Sequence, residues 1–106
     1  MTVEQKIEGK LAFDFDGKTF ELEVLNGGEK DFFVIFADNT TNETTYGGGR
    51  YIYVPRPDEN GNTFIDFNKS YTPPCGFTDF ATCLLPNREN VLDLEINAGE
   101  KYEGHH

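Results

Sequence analysis

The side chains best equipped for chemistry are Cys75 and Cys83, spaced C-x7-C. A thiolate is a nucleophile and a soft metal ligand. A zinc site on this pair needs two further ligands, and the only histidines, His105 and His106, stand at the terminus. A nucleophilic Cys75 needs a neighbouring base, and no internal histidine exists to form a Cys–His pair. A disulfide closing the loop is geometrically possible, but less expected of a cytosolic protein. Two buried free thiols, filling gaps in the loop packing, are therefore the favoured reading. No metal site and no cofactor is expected.

The second feature is GGGR, residues 47–50. A glycine-rich turn can present backbone N–H groups as an anion nest, with Arg50 clamping a carboxylate or phosphate. Neither the P-loop nor the dinucleotide pattern is matched, because no Lys-Ser/Thr pair and no strand–turn–helix context accompany it. Glycine inside a strand pattern more often marks a bulge. On that reading Arg50 pairs with an acid such as Asp66 or Glu89. Among nineteen acidic residues some pair must lie close in any fold, so proximity alone assigns no acid–base couple. Asp66 stands out because Phe67 flanks it, and a partly buried carboxylate is either paired or functional. Structural pairing is the better supported of the two.

The third feature is the stretch 64–86, which holds both cysteines, three of the five prolines and five of the fifteen aromatic residues. Pro73 and Pro74 fix successive φ angles and exclude a helix. A long connection carrying this many apolar side chains is expected to pack down over the mouth or one face of a sheet. Aromatic and Arg side chains are those that binding hot spots favour. The expected ligand-binding set is Arg50, Asp66, Asn68, Tyr71, Cys75 and Phe77, on a surface made by residues 46–50 and 68–83. No specific function is fixed by these residues. The leading expectation is a soluble module that binds a small ligand or a protein partner. One alternative is a small enzyme or metal-binding protein using Arg50, Asp66, Cys75 and Cys83 in one pocket. Another is an accessory subunit of a larger assembly.

The elements that must position these residues read as strands. Residues 6–15 alternate, with Leu11, Phe13 and Phe15 on one side. Asp16-Gly17 separates them from a second alternating run with Phe20, Leu22 and Val24 inward, the strongest short-range hairpin signal. Residues 32–37, FFVIFA, have no polar member and predict a central strand covered on both faces. Residues 38–45, DNTTNETT, predict a surface loop whose side chains bond their own backbone. Residues 51–54 predict a short strand pairing with residues 63–68 across a turn at 58–62. Residues 91–97 predict a last strand with Leu92, Leu94 and Ile96 inward. No segment predicts an amphipathic helix, so the class is all-β. About six strands predict a single-domain antiparallel roll, sandwich or small barrel, carrying a long ordered Pro/Cys loop.

A chain of 106 residues has room for one domain. Residues 1–5 and 102–106 are expected to fray. Ten Phe and five Tyr predict an unusually aromatic core. Nine basic residues scattered among nineteen acidic ones, a formal net charge of −10, argue against nucleic acid and against an anionic membrane surface. No apolar run is long enough to span a bilayer. The polar opening MTVEQKIEGK is not a secretory signal, so a cytoplasmic location is expected. The acid excess suits a salty cytoplasm or plain solubility equally.

Taken together, YGGGRY, DFNKSYTPPCGFT, FATCLLP, ENVL and INAGEKY resemble the bacterial and archaeal family labelled domain of unknown function 1684. The resemblance covers about residues 33–101 in the same order, and the combination is far more specific than any piece. Two departures matter. Family members usually carry a further N-terminal region that is lacking here, and Leu85-Pro86 stands where a longer proline run is expected. If that region helps build a site, the short chain keeps the scaffold without the activity. The resemblance implies no chemistry and transfers no catalytic residue.

Overall fold

A two-residue turn at Asp16 and Gly17, with φ of 51° and 77°, joins the first two strands. Positive φ at both positions is what a type I′ turn requires. The strands it joins in this computed structural model are β1, Ile7–Phe15, and β2, Lys18–Asn26, followed by β3, Asp31–Phe36, and β4, Arg50–Pro55. The structure describes residues 7–78, 81 and 83–102. The expected fraying of residues 1–5 and 103–106, and the loop positions Phe80 and Thr82, lie outside them.

The sheet is an open antiparallel meander in the order β1-β2-β3-β4. Alternation sends Phe20, Leu22 and Val24 of β2, Phe32, Val34 and Phe36 of β3, and Ile52 and Val54 of β4 to one face. The register sets Val34 beside Ile52 and Phe32 beside Val54. The opposite face carries Leu25, Phe33, Ile35 and Tyr51. As predicted from its uninterrupted apolar run, β3 is covered on both sides.

The main core is closed by Ile65, Phe67, Leu92, Leu94 and Ile96, which lie across the first face. The expected inward positions 92, 94 and 96 are correct, but the backbone does not join the sheet. Among the described residues there are four strands, not six, and no roll, sandwich or barrel closure. Residues 91–97 make one isolated bridge, Ala37 with Val91. They also bond to the loop after β3: Leu92 N–H donates to the Ala37 carbonyl at 2.8 Å, and Asn39 N–H to the Leu94 carbonyl at 2.8 Å.

Residues 63–68 likewise do not pair with β4 as a hairpin. The Asp66 carboxylate accepts the Asn68 N–H at 3.1 Å and starts a one-turn 3-10 helix, Phe67–Lys69. An Asx side chain that offers the backbone a local acceptor competes with ladder pairing. The Phe67 ring then drops between Phe13 and Phe36, 5.5 Å from each.

The sheet has one internal gap. β2 and β3 share only the pairs Leu25–Phe33 and Asn26–Phe32, after which they diverge. Asn90 fills the opening. Its carboxamide oxygen accepts the Glu23 N–H at 2.7 Å, and its Nδ2 donates to the carbonyls of Glu23 and Ile35 at 2.9 and 2.8 Å. Its own carbonyl accepts the Ala37 N–H at 3.0 Å. A buried side-chain amide thus continues the ladder where no strand residue is present.

Candidate functional site

Arg50 begins β4 within an apolar run, so its guanidinium is carried into the core instead of out to solvent. The side chain lies 5.2 Å over the Phe36 ring. Nη1 donates to the Ala98 carbonyl at 2.6 Å and Nη2 to the Ile96 carbonyl at 2.9 Å. Its ionic partner is Asp38, at 3.4 Å, and both side chains are fully buried. Neither Asp66 nor Glu89, the partners expected from sequence, is used. Burial pulls the Arg50 pKa down and Asp38 pulls it back up. A guanidinium so placed stays charged.

Asp38 is a hub of its own. Its Oδ1 accepts from Thr40 Oγ1 at 2.7 Å, and Oδ2 accepts the Ile96 N–H at 2.6 Å. The Thr40 carbonyl in turn accepts the N–H groups of Glu43, Thr44 and Thr45. The polar loop 38–45 therefore folds on its own side chains, as its composition predicted. The composition did not reveal that its first residue neutralises Arg50. The signal was present in one place: an Arg opening an apolar strand requires a buried acid.

The three glycines before Arg50 serve close packing. A Cβ on Gly48 would stand 2.6 Å from the Tyr46 ring, and one on Gly49, whose φ is +88°, would stand 2.6 Å from the Phe36 carbonyl oxygen. The last glycine lets the backbone turn into β4 against β3, and the three glycines lie in a turn closed by the Gly49 N–H donating to the Tyr46 carbonyl at 3.1 Å, ahead of the strand and not in a bulge within it.

The Pro/Cys loop is packed down, as expected, but its cysteines are not free thiols. Cys75 and Cys83 form a disulfide with Cα atoms 6.2 Å apart. The free-thiol expectation followed from burial habit and an assumed reducing compartment, and neither reports which side chains the prolines bring face to face. In the disulfide neither sulfur is a nucleophile or a thiolate ligand. Cys83 and Leu84 pack on the second face of the sheet against Tyr51, whose hydroxyl donates to the Leu84 carbonyl at 3.0 Å. Tyr71 sits on that face too, exchanging backbone bonds with Tyr51 at 2.9 Å in both directions. Burial, then the charge and hydroxyl of Tyr53, push the Tyr71 pKa up to about 12.

The six expected site residues are therefore divided. Arg50 points into the first face. Asp66 and Asn68 belong to the 3-10 turn over that face, where Asp66 is spent on the Asn68 N–H. Tyr71 lies across the second face against Tyr51. Cys75 is bonded to Cys83, and Phe77 projects to solvent, 56% exposed. Arg50 and Tyr71 cannot line one pocket, because successive residues of β4 face opposite ways. For the same reason the four residues of the enzyme alternative do not converge.

One part of the expected surface does assemble. A 3-10 turn, Pro74–Gly76, sets Phe77 beside Tyr102, with ring centroids 5.9 Å apart. The Tyr102 ring meets Tyr46 at 5.1 Å. Tyr102, a residue expected to fray, is anchored at both ends: its N–H donates to the Thr44 carbonyl at 3.0 Å and its hydroxyl to the Gly76 carbonyl at 2.6 Å. Beside this aromatic row is a cleft of about 380 Å³ lined by Asn42, Glu43, Thr45, Tyr46, Gly47, Gly48 and Tyr102. The glycine turn and the Pro/Cys loop are thus joined by Tyr102, a residue expected from sequence to fray. Glu100 secures the join by accepting the Thr72 N–H at 2.6 Å.

A protein-family model described as "Protein of unknown function (DUF1684)" matches residues 1–101, a wider span than the motifs alone cover. Among solved structures, the solution NMR structure of an uncharacterised protein from Haloarcula marismortui is similar at a TM-score of 0.72 and 35% identity. The similarity covers 87% of this chain and 53% of that one, so the chain spans about half the length of that relative. No curated protein matches.

Proposed function

The chain belongs to the DUF1684 family of proteins of unknown function, and from that premise and the geometry of its surface we propose that it is a binding module whose recognition surface is the row Tyr46, Tyr102 and Phe77 with the cleft beside it. The partner is a ligand or protein segment that offers cationic and apolar groups. The observation that carries this reading is the anchoring of Tyr102 through its N–H and hydroxyl, which sets its ring between those of Tyr46 and Phe77. Aromatic side chains held in place bind with little loss of conformational freedom. Glu43 borders the cleft, and a net charge of −10 selects against anionic partners. Tyrosine rings attract a cation set over their faces.

The test is amide NMR of isotope-labelled protein titrated with short peptides rich in Lys, Arg and Leu, beside an acidic peptide as control. Shifts confined to residues 42–48, 76–78 and 102, and lost in Phe77→Ala, support the reading. No shifts with any basic peptide, or shifts centred elsewhere, refute it.

A further inference from the structure

The first face of the sheet is not sealed at β1. Leu22 of β2, Val34 of β3 and Ile52 of β4 are 0% exposed, whereas Phe15 at the end of β1 is 36% exposed and Phe64, which faces residues 11–14, is 64% exposed. Leu11, Phe13 and Ile65 are only partly buried. Between residues 11–14 of β1 and residues 63–65 lies a slot of about 390 Å³. Among the described residues β1 is also an edge strand, nine residues long. A long edge beside incompletely covered apolar side chains is a template for another strand.

Which strand fits can be read from the register. In a two-residue hairpin the pair that closes the turn, here Phe15 and Lys18, exchanges both ladder bonds. Alternation then turns the N–H and C=O groups of Lys10, Ala12 and Asp14 towards the free edge. Laying a second β1 antiparallel about Ala12 sets Lys10 of each copy opposite Asp14 of the other. It also sets Leu11 opposite Phe13, with both on the core side. The small Ala12 side chain at the centre leaves no clash with itself. Thr19 Oγ1 donates to Asp14 Oδ1 at 2.6 Å, which fixes that carboxylate and leaves its other oxygen for the incoming ammonium.

We propose that β1 is the seam of a homodimer in which two sheets join edge to edge about Ala12, with paired Lys10–Asp14 contacts setting the register. The partner chain's Leu11 and Phe13 side chains fill the slot beside Phe64. The surface shares no residue with the Tyr46–Tyr102–Phe77 row or its cleft and does not depend on them. The like net charge of −10 on each copy opposes association at long range, so the dimer is favoured once moderate salt screens that repulsion.

The experiment is sedimentation of the full chain across a concentration series in moderate salt. A species of twice 12.0 kDa is expected to grow with concentration. Lys10→Glu or Asp14→Lys alone should raise the dissociation constant roughly tenfold or more, since each change places like charges opposite one another twice by symmetry. Mixing the two variants should restore a heterodimer, which also shows that both are folded. Hydrogen exchange at the N–H groups of residues 10, 12 and 14 should slow with concentration, while those of 11 and 13 stay unchanged. A monomer at every concentration overturns the proposal. So does a dimer indifferent to charge reversal, or folded variants that fail to pair on mixing.

Discussion

Arg50 and Asp38 meet 3.4 Å apart with both side chains withdrawn from solvent. Removing one partner of such a pair strands the other charge in the core, at a cost of about 3–5 kcal/mol. Arg50→Ala and Asp38→Ala should each lower the stability in urea by about that amount. Phe77→Ala, on an exposed ring, should move it by less than about 1 kcal/mol. A small loss for Arg50→Ala would show that the guanidinium is spare for a ligand.

Asn90 takes the place of a missing ladder residue. Asn90→Ala should cost about 2–4 kcal/mol, the scale of three buried polar groups left with fewer partners. The local reading is sharper: the Glu23 amide, which donates to Asn90 Oδ1, should exchange with solvent much faster in the variant, while that of Val34 changes only with the global loss. Asn90→Asp should be worse than Asn90→Ala, because a carboxylate would face the Glu23 and Ile35 carbonyls that Nδ2 now serves.

The disulfide closes a short loop, with a sequence separation of 8. A crosslink of that size limits the unfolded chain by about 2–3 kcal/mol. The double change Cys75→Ser and Cys83→Ser should lower the urea midpoint accordingly and leave the four-stranded sheet intact, as judged by amide NMR. Thiol titration of the unreduced protein should find none.

Tyr71 ties stability to alkaline pH. Its folded pKa is raised to about 12, against about 10 for a free tyrosine. Between those values the unfolded chain releases the proton and the folded one keeps it, so stability is unaffected below about pH 10 and falls as pH rises towards 12. With allowance for partial solvent access, the loss should be about 1–2 kcal/mol. Denaturant midpoints for the native chain and for Tyr71→Phe should diverge above pH 10, the variant falling less steeply. Tyr51, raised by burial as well, keeps part of the slope in the variant.

The sheet was legible where side chains repeat with the period of the backbone. Asp16-Gly17 and the alternation on either side specify β1 and β2, and FFVIFA specifies β3. Residues 63–68 and 91–97 carry the same alternation but are covering segments. Their inward side chains were legible and their backbone partners were not, because Asp66 and Asp38 divert N–H groups that a strand would have paired. The candidate site was half legible. Phe77 and Tyr46 are bridged by Tyr102, while Arg50, singled out for a ligand, is consumed by Asp38 and two carbonyls. Its partners lie 12, 46 and 48 residues away in sequence, a separation at which no local pattern can report them.

The carbonyls that satisfy Arg50 belong to Ile96 and Ala98, and the groups that lock Thr72 and Gly76 belong to Glu100 and Tyr102. Synthesis runs from the N-terminus, so the four described strands are made before these partners emerge. A chain interrupted ahead of residue 96 would keep all four and still pair Arg50 with Asp38, but would leave two guanidinium donors without their carbonyls. Residues 96–102 therefore act as a late clasp, and their loss should weaken the whole sheet without removing a strand.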